Sequence, residues 1–200
     1  MNNQNDKQEI VRKNHFLNRN NRYCLNFLPV FVLIILLSGC QQSSSPNLNP
    51  CFSINAVAAM PSHETIQADA FEDAAGRIRF KGAATGQIRL FFPVINSTGQ
   101  LTDNVKWDRL KILYLDPDGG GGDYRISAAL QYLDATGGTP AVAELDSNDF
   151  ASTGINTMSS SLSHDFDFIN RYYYVEVRLS RKNTNANPWV GGLKICEQFQ

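Results

Sequence analysis

Most of the chemistry this chain can offer lies in three acidic clusters and one set of aromatic rings. Asp116, Asp118 and Asp123 fall within eight residues, in Asp116-Pro117-Asp118-Gly119-Gly120-Gly121-Gly122-Asp123. Carboxylates and the carbonyls that glycine can turn inward are the hard oxygen ligands calcium prefers. These three aspartates are therefore the candidate metal ligands, and calcium is the candidate cofactor. Asp and Gly also supply turn geometry to a hairpin loop that holds no metal. Asp165 and Asp167 are two residues apart and share a face if their segment is a strand. Such a pair hydrolyses a glycosidic bond when its carboxyl groups are held about 5 Å or about 6.5–9.5 Å apart. Asp146-Ser147-Asn148-Asp149 is the third acidic cluster. Tyr172, Tyr174 and Trp189 are the candidate ligand-binding residues, because flat rings projecting from late strands can stack on sugars. Aromatics also favour strands for packing alone.

Several chemistries find no support. Beyond residue 39 only His63 and His164 remain, without zinc-ligand spacing. No Gly-x-Ser-x-Gly elbow accompanies His164-Asp165, and adjacent strand residues point to opposite faces. No phosphate-cradling glycine motif opens a helix. No catalytic residue is assigned. The aspartate loop resembles the first half of an EF-hand-like Asp-x-Asp-Gly loop. It departs by lacking a third ligand at the next alternate position and the distant glutamate.

The elements that must position these residues are strands. Period-two alternation puts Ile78 and Phe80 inward from Arg77, Arg79 and Lys81. It recurs over 87–95, 105–115, 124–133, 141–145, 162–168, 172–180 and 189–196. Glycine- and asparagine-rich breakers separate these runs. The only helical prospect is a short turn over 67–75, after Pro61. About eight short strands predict an all-β fold, a two-sheet antiparallel β-sandwich of jelly-roll type over residues 51–200. The alternative is an eight-stranded barrel. Charged outward positions argue against a barrel that spans a membrane.

The amino-terminal part reads as an address. Five cations against two acids precede the 13-residue apolar run from Leu25 to Leu37. That run is short of the about 20 residues a membrane span needs and fits an export signal. Leu37-Ser38-Gly39-Cys40 resembles the lipobox of bacterial lipoprotein precursors, a likeness covering residues 1–45. It implies a signal peptide over 1–39, diacylglyceryl transfer to the Cys40 thiol, and cleavage that leaves Cys40 as the first mature residue. Two or more acyl chains suffice for stable anchoring. Gln41, rather than Asp, implies placement at the outer membrane. Residues 40–50, rich in Gln, Ser, Asn and Pro, have the composition of a flexible tether.

Past residue 39 the chain carries 13 Lys and Arg against 17 Asp and Glu, with no basic block, so nucleic acid is not an expected partner. Cys24 leaves with the signal and Cys40 takes lipid. Cys51 and Cys196 then pair most simply with each other in an oxidising compartment. The expectation is a lipid-anchored envelope protein, bound to the membrane through its anchor. Its role would be non-enzymatic, binding or structural, with a glycan or an envelope protein as partner. The alternatives are a carbohydrate-binding module, calcium-assisted through the aspartate loop, and a glycoside hydrolase using Asp165 and Asp167.

Overall fold

A computed structural model describes residues 51–96 and 106–197. The leader, Cys40 and the tether of residues 40–50 lie outside the described residues. The described chain forms eleven strands in two antiparallel sheets. They are β1 (Cys51–Asn55), β2 (Met60–Pro61), β3 (Phe71–Ala74), β4 (Arg77–Phe80), β5 (Gly86–Val94), β6 (Arg109–Leu115), β7 (Tyr124–Leu133), β8 (Ala141–Asp146), β9 (Ile155–Ser161), β10 (Tyr172–Arg181) and β11 (Trp189–Cys196). One sheet runs β3-β4-β11-β6-β9, with β1 also on β11. The other runs β2-β5-β10-β7-β8. From β4 to β7 consecutive strands alternate between sheets, so their apolar faces meet across the interior.

The alternation seen in the sequence decides which face is buried. Tyr173, Val175, Val177 and Leu179 of β10 point inward, as do Ile88, Leu90 and Phe92 of β5 and Ile126 and Leu130 of β7. Leu110, Ile112 and Tyr114 of β6 meet them from the opposite sheet. Burying each such side chain fully contributes about 1.5–3 kcal/mol. Strand β11 needs a device to keep its apolar residues inward. Its pairing with β6 shifts between Val190 and Gly192, a bulge that lets Val190, Leu193 and Ile195 all face the core. Gly192 has φ +146°, and a Cβ there would lie 2.5 Å from the Ile54 carbonyl oxygen, so the close approach of β1 admits only glycine.

Cys51 and Cys196 sit opposite each other in the β1–β11 register, their Cα atoms 4.2 Å apart, and form a disulfide. That separation is near the about 4.5 Å of a non-hydrogen-bonded cross-strand site.

The structure corrects several expectations. There are eleven strands among the described residues rather than about eight: β1, β2, β3 and β9 are added and the run 162–168 is lost. The sheets are separate, so the barrel alternative is set aside. The short helix α1 spans His63–Gln67 instead of 67–75. Ser62 caps it by accepting a hydrogen bond from the Thr65 amide, and residues 71–74 pair as strand β3. Residues 162–168 do alternate in burial, but apart from an isolated bridge at Phe166 they form no strand. The strand beside β6 is β9, whose only buried side chain is Met158.

Candidate functional site

The outer face of the five-stranded sheet gathers chemistry from four strands. Register places Met60, Phe91, Glu176, Ala129 and Glu144 in one row across the sheet. The next row runs Arg89, Arg178, Ser127, Asp146. On the other side, Tyr174 lies between Pro93 and Gln131. Strand β7 therefore presents two small side chains, Ser127 and Ala129, between larger ones on β10 and β8. The result is a groove of about 420 Å³ whose lining includes Glu176 and Arg178 on one side and Glu144 and Asp146 on the other.

The charges along this groove are fixed in place. Glu176 is only 5% exposed, yet it accepts hydrogen bonds from Arg178 Nε at 2.6 Å and Arg89 Nε at 2.8 Å. Burial alone would raise its pKa, but the two guanidinium groups outweigh that and hold it below the usual carboxylate range. Asp146 is lowered in the same way: the Arg125 guanidinium and the Asn148 amide overcome its desolvation. Neither group is a proton donor at neutral pH. Glu144 is exposed and makes no ion pair among the described residues. The Tyr174 hydroxyl donates to Gln131 Oε1 at 2.7 Å, and its ring lies 6.1 Å from that of Phe91. The ring is thus oriented before any ligand arrives, which lowers the ordering cost of binding. Tyr172 is two residues away on the same strand face and is 79% exposed.

Ionised carboxylates, guanidinium groups, an amide and held aromatic rings can together exchange hydrogen bonds with a polyhydroxylated ligand and stack on its ring faces.

The remaining sequence candidates are dispersed. Trp189 belongs to the other sheet and is 6% exposed, with the Arg77 guanidinium 4.3 Å above its ring. It shares no surface with Tyr172 and Tyr174. Asp116 points inward and accepts a hydrogen bond from the Ser147 hydroxyl. Burial pushes its pKa up to about 6. Asp118 accepts hydrogen bonds from the Asp123 amide at 2.8 Å and the Tyr124 amide at 3.3 Å. Asp118 thus serves the loop's own backbone while Asp116 ties the loop to Ser147, and no metal-holding group of three such ligands occurs among the described residues. Asp165 and Asp167 do not pair on a strand, because their segment is not one. Asp167 instead accepts from the Ile169 and Asn170 amides in a turn. His164 stacks on Tyr132, its ring nitrogen 2.9 Å from the Tyr173 hydroxyl, and burial lowers its pKa.

Sequence reasoning missed Phe91, Ser127, Ala129, Gln131, Glu144, Asp146, Glu176 and Arg178 as a group. Their strand parity was readable. The pairing of β5, β10, β7 and β8, which makes them neighbours, was not.

No family model and no curated protein matches the chain. Among solved structures it is similar to a xylan-binding module, CBM15, with 14% identity and a TM-score of 0.44, over 74% of this chain and 96% of that one. It is similar to the low-affinity xylan-binding module CBM86 from Roseburia intestinalis, with 15% identity and a TM-score of 0.42, over 75% and 96%. A family two carbohydrate esterase from Cellvibrio japonicus matches at 13% identity and a TM-score of 0.40, and there the chain spans 35% of the other's length. Likeness at this level assigns no ligand to any residue of this chain.

Proposed function

We propose that this chain is a lipid-anchored envelope protein that binds a polysaccharide, without cleaving it, in the groove over Ser127 and Ala129. The observation that carries the reading is that groove: two small side chains on β7 flanked by Glu176, Arg178, Glu144 and Asp146, with the oriented ring of Tyr174 beside it. Glu176 and Asp146 are each tied to guanidinium groups and held below the usual carboxylate range, so neither is the general acid that glycoside cleavage needs, and the reading taken is binding. The residues of the aspartate loop do not line the groove, so this reading asks no calcium of them. The anchor rests on Leu37-Ser38-Gly39-Cys40.

Calorimetric titration of the mature protein against a panel of soluble polysaccharides tests the binding. Ala129→Trp fills the groove floor and is expected to abolish the heat while the protein stays folded. Unchanged binding in that variant removes the groove from the reading, and release of reducing ends removes its non-hydrolytic part. Palmitate labelling that persists after Cys40→Ala removes the anchor.

A further inference from the structure

The opposite face of the sandwich is built to a different charge rule. Strands β1, β6, β9 and β11 contain no Asp or Glu. Asp108, Asp116 and Glu197, the acids nearest in sequence, lie beyond the strand ends. Lys111 of β6 and Lys194 of β11 stand directly opposite each other, in a row that runs Ser53, Lys194, Lys111, Ser159. Like charges at directly opposed positions destabilise a sheet. Arg109 is two residues from Lys111 on the same strand, so a third cation shares that face. None of the three makes an ion pair among the described residues, and Arg109 Nε is buried with no hydrogen-bond partner.

These cations line a groove of about 650 Å³ together with Ser53, Asn55, Thr157 and Ser159. Gly191 and Gly192 also line it. Leu113 lines it too and lays its side chain over Gly191, where an added Cβ would lie 2.9 Å from Leu113 Cδ2. Two lysines placed opposite each other on strands that carry no acidic residue are the kind of local conflict that marks a functional site.

We propose that this groove is a second binding site, for an anionic saccharide chain bearing carboxylate or phosphate groups. The cations take the charge, and the hydroxyl and amide groups at either end take the sugar hydroxyls. A lipid headgroup would need only the cations. The groove crosses four strands, three spacings of about 4.8 Å or about 14 Å in all, a length that suits a chain segment. The proposal is independent of glycan binding on the opposite face.

The test titrates the mature protein with oligogalacturonate, with a neutral oligosaccharide of equal length, and with glycerol phosphate as a headgroup mimic. The expected result is binding to oligogalacturonate that weakens with added salt, with the neutral sugar and glycerol phosphate at least tenfold weaker. Lys111→Gln combined with Lys194→Gln is expected to weaken that binding at least tenfold without lowering the melting temperature. Lys194→Glu gives Lys111 an opposite partner. It is expected to raise the melting temperature and abolish anion binding. Equal affinity for the neutral sugar overturns the proposal, and equal affinity for glycerol phosphate assigns the groove to headgroups instead. A lower melting temperature in both variants shows that the lysines serve the fold, which also overturns it.

Discussion

Ser147 donates its hydroxyl proton to the carboxylate of Asp116, and both side chains are sealed from solvent. The same hydroxyl oxygen accepts the Ile126 amide at 2.9 Å. One side chain therefore ties the loop after β6 to strand β7 and to the 3-10 turn that follows β8. Ser147→Ala leaves a buried carboxyl group short of a donor and is expected to cost about 1–3 kcal/mol. Denaturant unfolding at neutral pH measures it, and a loss below about 0.5 kcal/mol would show that the loop holds without this link.

Asp116 also sets a pH dependence. Burial, aided by the neighbouring Asp118, raises its folded pKa to about 6 from an ordinary 3.8. Between these values the folded protein holds a proton that the unfolded chain releases. Its contribution to stability is complete below about pH 4 and is lost as the pH rises through about 6. Asp116→Asn is expected to remove this slope, so that the variant gains on the parent as pH climbs from 4 to 7. Melting temperatures across that range decide the matter, and a difference that does not change with pH would exclude Asp116 as the cause.

Glu176 neutralises two cations that face each other, since Arg89 and Arg178 are register partners on β5 and β10. Glu176→Gln leaves these guanidinium groups opposed. Both arginines are more than a third exposed. Solvent therefore screens the effect, and the expected loss is about 1–2 kcal/mol rather than that of a fully buried pair. The destabilisation should shrink as salt is added, and thermal unfolding at two ionic strengths checks this.

Tyr174 divides into two parts, a ring for stacking and a hydroxyl that orients it. Tyr174→Ala is expected to weaken polysaccharide binding about tenfold or more, and Tyr174→Phe only about two- to fivefold, because the ring survives without its tie to Gln131. Equal losses in the two variants, read by calorimetry, would place the recognition in the hydroxyl.

Replacing both Cys51 and Cys196 by Ser opens a covalent loop with a sequence separation of 145. The chain-entropy account of such a loop predicts a loss of about 5 kcal/mol. Among the described residues strand β1 pairs only with β11, so amide exchange in residues 51–55 should accelerate first.

The sandwich itself was legible in the sequence because long strands such as β7 and β10 carry uninterrupted period-two patterns. Strand β9 was not, since Ile-Asn-Thr-Met-Ser-Ser-Ser offers one buried side chain and its place is set by β6 alone. Residues 162–168 misled for the opposite reason. Leu162 and Phe166 are buried in alternation, but burial does not require a hydrogen-bonded neighbour. The disulfide followed from elimination among four cysteines. The groove escaped because Ala129 and Ser127 carry no chemistry of their own. They matter only through what β10 and β8 place beside them, and strand order is a long-range property that a single chain's periodicity does not encode.

The staple between Cys51 and Cys196 also determines how the domain responds to mechanical pull. Tension entering at Cys51 crosses at once, sulfur to sulfur, to Cys196 at the end of β11. Everything from Phe52 to Ile195 lies inside a closed ring and is bypassed by that force. A protein held at one end and loaded at the other could then be stretched without either groove changing shape.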